Sequence, residues 1–361
     1  MNRLDILCVT KNFRSHTPSG GYDQLARYVA TKVIGRRPIT ALPMKMLEKL
    51  WHFGYGEKRH LFSHLSHGYR FEDRYCEEAV FWNGIARRPD IIHFLYGDWM
   101  LDAILRRRSL LPSRLVATFH LPADDVAQRF ECIQRNELAN LDGAILVSSH
   151  DLERYASWLG RKKVMYIPHG VDTDVFSPVP FRPRPIARFL FVGMMMRDFE
   201  TAHRVFDQCR HDNIEAEFIV VTPKGGASFF TGCTNICQLS NIGELDLIDL
   251  YRKSDALFLP LLNSTANNAI LEAMACGVPV ISTNVGGVPD YVDSTAGWLL
   301  PPGDFDSAYT LVRDIVKFRE IALEKRSAAR TRAEIFSWQR VAETTLAAYR
   351  RLLRDGRLAP F

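Results

Sequence analysis

No uncharged apolar run in this chain of 361 residues is long enough to cross a bilayer, which takes about 20 consecutive apolar residues. Nor is there a disulfide framework. Seven cysteines, an odd number, are scattered at Cys8, Cys76, Cys132, Cys209, Cys233, Cys237 and Cys276, several of them inside apolar runs, as buried free thiols are. Cys233 and Cys237 stand four apart with no second pair, so their spacing lacks the ligands of a structural zinc site. His60, His64 and His67 recur at helical spacing, but beside Lys58, Arg59 and Arg70 they read as a solvated face. A strong charge of one sign is also missing: 46 Lys+Arg stand against 41 Asp+Glu, a net +5 that is too small to argue for nucleic acid. That excess lies wholly in the first half, since residues 1–181 hold 25 basic and 20 acidic residues and residues 182–361 hold 21 of each. No acidic DxD pair is placed for metal-dependent chemistry, and no enzymatic nucleophile stands out.

What is present describes a globular protein, with 47% hydrophobic residues and a mean hydropathy of −0.11. The length suits two α/β domains. The start, MNRLDILCVT, carries Asp5 inside its short apolar run and reads as a first strand over residues 4–10, not as a signal peptide, so a cytoplasmic chain is expected. A polar loop ending in Gly20-Gly21 leads to residues 22–33, where Leu25, Tyr28, Val29 and Val33 recur at helical period. Strand, paired glycines and helix form a phosphate-cradle arrangement, although paired glycines also serve plain turns. Further strands are expected at 90–94, 115–119, 143–148 and 163–168, with helices at 72–86, 124–141 and 151–159 between them. After the proline-rich linker FRPRP, strands are expected at 188–192, 217–222 and 236–239, then a helix over 247–253.

The most informative stretch is residues 257–290, LFLPLLNSTANNAILEAMACGVPVISTNVGGVPD. An apolar strand at 257–262 meets a loop whose Asn, Ser and Thr suit an N-cap, then a helix over 269–276. Gly277 follows as a natural residue just past the helix end. A second strand at 278–282 and a glycine-rich turn complete a βαβ unit, whose loop and helix N-terminus lie where open α/β sheets bind ligands and where backbone N–H groups favour phosphate. Glu272 is a carboxylate amid Ile270, Leu271, Ala273 and Met274. It either caps its helix or pairs with a base, or else it accepts from a ligand such as a ribose diol, whose two hydroxyls match two carboxylate oxygens.

LEAMACGVPVISTNVGG resembles the donor-nucleotide segment of retaining family 4 glycosyltransferases of the GT-B fold. The resemblance implies two Rossmann-like, doubly wound parallel-sheet domains facing across a cleft, an α/β architecture. The N-terminal domain would span 1–178 and take the acceptor. The donor domain would span 179–338, and a C-terminal helix over 339–361 would pack back on the first. Of the family's two glutamates eight positions apart, the second matches Glu272, which would hold the nucleotide ribose. The first falls on Ser264, where this chain departs from the pattern. Gly20-Gly21 matches the family's glycine pair near the donor phosphates, and His120, after the strand LVATF, matches a histidine that approaches the donor sugar. IPHGVDTDVF resembles the motif that ends the first domain. The positions of the family's diphosphate-gripping Arg and Lys hold Met194 and Phe199, so Arg197 is expected to take the diphosphate, with Lys224 as the second charge. An exposed Arg197 paired with Asp198 or Glu200 is the plainer alternative. Gly243, Glu244 and Leu245 would hold the base, and Asn267, Asn268 and Ala269 would meet the donor at the helix start.

The function implied is transfer of a sugar from a UDP- or GDP-sugar, as co-substrate and without a metal, to a glycan or lipid-linked acceptor with retention of configuration. A role in cell-surface polysaccharide or glycoconjugate synthesis fits such a transfer. The alternatives are a non-catalytic nucleotide-sugar-binding subunit and a nucleotide-sugar 2-epimerase; the latter would need acid/base carboxylates in the first domain, and none stands out. Residues 36–88 resemble the family least. Within them MKMLEKLWHF, at 44–53, is basic and amphipathic. It is either a helix packed on the sheet or an interfacial one, and in the second case a peripheral contact with anionic membrane at its cytoplasmic face is expected.

Overall fold

The computed structural model describes residues 3–11, 17–35, 71–130, 135–182, 184–230 and 232–360. The amphipathic stretch 44–53 and the histidine-rich run 58–70 lie outside the described residues. The chain divides into two compact units, one of residues 1–16, 22–168 and 341–361, the other of 17–21 and 169–340.

The first unit holds a six-stranded parallel sheet in the order β2-β1-β3-β4-β5-β6. Its strands are β1 Ile6–Thr10, β2 Lys32–Gly35, β3 Ile91–Phe94, β4 Arg114–Phe119, β5 Gly143–Leu146 and β6 Val164–Tyr166. Strands β1, β3 and β5 are buried along their whole length, as expected of parallel strands covered on both faces. Strand β2 corrects the reading of residues 22–33 as one helix. The helix ends at Val29, Ala30 is extended, and Lys32–Gly35 pairs with β1. A 17-residue helix of this unit is Phe71–Arg87.

The second unit repeats the plan with the order β12-β11-β10-β7-β8-β9. Its strands are β7 Ala187–Val192, β8 Ala216–Val221, β9 Ile236–Leu239, β10 Ala256–Leu259, β11 Val280–Thr283 and β12 Gly297–Leu300. The helices between them begin on polar caps: Asp198 accepts from Thr201 N at 2.9 Å ahead of Phe199–His211, and Asp304 accepts from Ser307 N at 3.0 Å ahead of Phe305–Lys317. Each such cap contributes about 1 kcal/mol. In each sheet the strand order reverses once, between β1 and β3 and between β7 and β10. The loops that follow those strands are therefore where a doubly wound unit places its ligand.

The division between units falls at Pro168, ten residues before the expected boundary of 178. The physical reason is that His169–Ser177 packs on the second unit. His169 N donates to Tyr291 Oη at 2.9 Å, Phe176 is fully buried in that unit's core, and Arg330 Nη1 donates to the carbonyls of Thr173 and Phe176 at 3.1 and 3.0 Å. The helix Trp338–Asp355 starts in the second unit and belongs to the first from Val341 on. There Tyr349 Oη lies 2.5 Å from His93 Nδ1 in the buried core.

Candidate active site

The second unit gathers most of the expected residues at its switch point. The loops after β7 and β10 are joined by a bridge between Arg197 and Leu261, with Asp198 N donating to Pro260 O at 3.0 Å and Leu262 N to Met196 O at 2.9 Å. Gly193 turns at φ +91°, a conformation glycine adopts without strain. Arg197 folds back over it. Its Nε donates to Val192 O at 3.0 Å and its Nη1 to Met195 O at 2.8 Å, and Nη2 lies 2.5 Å from where a Gly193 Cβ would be. These carbonyl partners stand in place of the Asp198 or Glu200 pairing of the plainer alternative. Burial pushes the guanidinium down to about 10, against the pull of Tyr251 and Glu272, so it stays charged at neutral pH.

Glu272 lies in the helix Asn268–Ala275 and is 6% exposed. Its Oε2 accepts from Tyr251 Oη at 3.0 Å. No hydrogen bond to its Oε1 is found among the described residues, and that oxygen lies 3.5 Å from where a Gly20 Cβ would be. Burial, and to a smaller degree the charge of Glu244, raises this carboxyl to about 7, while the Tyr251 hydrogen bond and Arg197 oppose the rise. The turn Thr17–Gly21 clusters with this unit. Gly21 has φ +86°, and a Cβ on Gly20 would meet Thr17 Oγ1 at 2.6 Å, which accounts for the glycine pair.

The other expected donor residues are placed as follows. Asn267 caps the Glu272 helix, its Oδ1 accepting from Ile270 N at 3.4 Å; Asn268 is the first helical residue and Ala269 is buried. Ser264 Oγ donates to Ala266 O at 3.3 Å, and its carbonyl accepts from Gly287 N at 2.7 Å. Gly243 is the N-cap of Glu244–Arg252, so Glu244 and Leu245 form a helical first turn where a loop was expected. Leu245 is 80% exposed, and the Glu244 carboxylate accepts from Ser19 N at 2.8 Å and Ser19 Oγ at 3.2 Å. Lys224 starts the 3-10 helix Lys224–Phe230; its side chain lies outside the described ones.

His120 belongs to the first unit. Its Nε2 lies 2.8 Å from Leu95 O, and its ring sits 4.7 Å from that of Tyr22 and 4.9 Å from that of Tyr96. The Asp98 carboxylate accepts from His120 N at 2.7 Å and Leu121 N at 3.2 Å, which fixes the turn. Among the described residues, no group of three or more His, Cys, Asp or Glu could hold a metal ion.

Two models of known families match the chain, "Glycosyltransferase Family 4" over residues 51–175 and "Glycosyl transferases group 1" over residues 187–317. The chain belongs to the family 4, group 1 glycosyltransferases. A D-inositol 3-phosphate glycosyltransferase of Paenarthrobacter aurescens is 30% identical over 220 residues, 54% of this chain and 52% of that one. The chain thus spans about half the length of the curated relatives it matches. Among solved structures, sucrose-phosphate synthase from Thermosynechococcus elongatus superimposes with TM-score 0.72 at 18% identity, covering 96% of this chain and 99% of that one. HepE of Anabaena, solved in complex with UDP and glucose, superimposes with TM-score 0.65 at 13% identity, covering 95% and 98%. These likenesses show the fold, which is GT-B.

Against this family's usual pattern, Met194 is 39% exposed, and Phe199 packs at 4.2 Å centroid distance on Phe229 and at 5.4 Å on Phe191. Neither family cation is replaced at its own position. Two residues escaped the sequence reading. Tyr251 stood unremarked within the helix expected over 247–253. Asp23 stood unremarked in the stretch after the glycine pair; burial raises its carboxyl to about 7, and its Oδ1 has no hydrogen-bond partner among the described residues. An acidic side chain amid the apolar positions of 22–33 was the signal available for it.

Proposed function

We propose that this protein transfers a sugar from a nucleotide-sugar donor to an anionic acceptor with retention of anomeric configuration. The observation that carries the reading is Glu272, a nearly buried carboxylate with one oxygen bonded to Tyr251 and the other bonded to nothing among the described residues. The open oxygen keeps accessible surface, and a ribose diol can donate to it. Arg197, held beside this carboxylate by two carbonyls, would meet the diphosphate with its remaining N–H groups. His120, Gly20 and Gly21 are assigned to the sugar and phosphates by family pattern. In the reaction the bond from the anomeric carbon to the diphosphate oxygen breaks as the acceptor hydroxyl attacks from the same face. The hydroxyl proton passes to the departing phosphate oxygen.

A UDP-sugar donor is supported by the UDP and glucose bound to HepE, and a phosphorylated acceptor by the name of the Paenarthrobacter relative. Membrane contact is supported by the charge excess of the first half and by Tyr75 and Trp82, which are 52% and 63% exposed two turns apart on Phe71–Arg87. A second reading, binding without transfer, is favoured by the packing of half-buried Phe199 on Phe191 and Phe229 where a cation would be needed. Incubating the full chain with UDP-, GDP- and ADP-sugars, with and without phosphorylated acceptors, separates them. Acceptor-dependent nucleotide release is expected; binding without release establishes the second reading, and neither binding nor release defeats both.

A further inference from the structure

We infer that Tyr251 is the positioning residue of Glu272: its hydroxyl takes one carboxylate oxygen so that the other is left open to the ligand. The inference rests on the reading of Glu272 as the group that holds the donor's ribose. Tyr251 is 0% exposed and lies in Glu244–Arg252, a different helix from that of Glu272. A phenol in an apolar core needs a hydrogen-bond partner, and this one donates to Glu272 Oε2 at 3.0 Å. A phenol has a single O–H to donate, so the contact selects one oxygen and fixes the carboxylate's rotation. Oε1 is thereby directed toward the Gly20 turn.

The contact also biases ionisation. Three other ionisable groups bear on the pair: Glu244 from the Tyr251 helix, Arg197 from the loop after β7, and Cys276 just past the end of the Glu272 helix. Burial and Glu244 favour the proton on Glu272, and Tyr251 and Arg197 oppose it. The ionised carboxylate makes stronger, charge-assisted hydrogen bonds to a diol than the neutral acid does. Without the Tyr251 hydroxyl, the Glu272 proton is held to higher pH. Ligand affinity then falls at neutral pH and recovers in alkali, whereas a packing defect would weaken binding equally at every pH.

The test uses the full chain and Tyr251→Phe, which keeps the ring. The Glu272 carboxyl is titrated by 13C NMR in glutamate-labelled protein, assigned by difference against Glu272→Gln, and UDP affinity is measured by calorimetry from pH 6 to 9. The expected result is an upward shift of the Glu272 midpoint in Tyr251→Phe, with UDP affinity reduced about five- to tenfold at pH 7 and restored at pH 9. An unmoved midpoint, or a loss of affinity equal at pH 7 and pH 9, overturns the inference and leaves the donor reading standing. A wild type that binds none of UDP, GDP and ADP while the midpoint shifts sustains the Tyr251–Glu272 coupling and removes the nucleotide reading instead.

Discussion

Glu272 is a carboxyl whose surroundings favour its proton, and this has a sign that stability measurements can read. Its folded value is raised from 4.5 to about 7. The stabilising contribution of the bound proton is therefore complete below the unfolded value and is lost as pH rises through 7. Glu272→Gln removes the titration and keeps an acceptor for Tyr251. It is expected to melt increasingly above wild type between pH 5 and pH 8, by at most about 3 kcal/mol. A gap that does not grow with pH contradicts the carboxyl's assigned environment. Arg197 invites a comparison of ligands: Arg197→Ala should narrow the gap between nucleoside diphosphate and nucleoside binding, and so should Lys224→Ala. If neither does, backbone N–H groups at helix starts carry the phosphates alone. At this scale the sequence revealed Glu272, because an acidic residue breaks an apolar run. It concealed Tyr251, because the contact joins positions 21 apart on separate helices.

Among the elements, the parallel strands were legible because burial on both faces leaves nearly continuous apolar runs such as ARFLFV in β7. Strand β2 was not. Its four residues KVIG sit at the sheet edge, only partly buried, and Val33 completes a helical spacing begun at Leu25. Pairing with β1, a contact local pattern does not encode, decides the conformation. The motif IPHGVD shows the opposite case, a sequence signal whose physical cause the structure supplies. A Cβ on Gly170 would meet Trp338 Cε3 at 2.3 Å, and that indole is 1% exposed. Gly170→Ala is thus expected to destabilise the second unit by about 1–3 kcal/mol, as overpacking does. Denaturant titration checks it; a change below 0.5 kcal/mol, taken as roughly the scatter of surface substitutions, would mean that the indole has room to move.

For the molecule as a whole, the two-unit plan followed from length and from the family resemblance, whereas residues 36–88 resembled the family least, although the family 4 model matches from residue 51 on. The net charge of +5 confined to residues 1–181 and the exposed aromatics of Phe71–Arg87 make anionic lipid the expected surface partner. Co-sedimentation with anionic liposomes should fall with salt and weaken in Lys45→Glu/Lys49→Glu, each base near the surface being worth about 1 kcal/mol. A protein that ignores such liposomes at low salt removes the membrane contact and leaves the donor site untouched. The central claim concerns that donor site. Calorimetric titration of UDP, GDP and ADP into wild type and Glu272→Ala tests it most directly. The account predicts that at least one diphosphate binds wild type and binds Glu272→Ala about 2–4 kcal/mol more weakly, the cost of losing a charge-assisted hydrogen-bond pair. Equal affinity for the two folded proteins, or no binding to wild type at all, would contradict it.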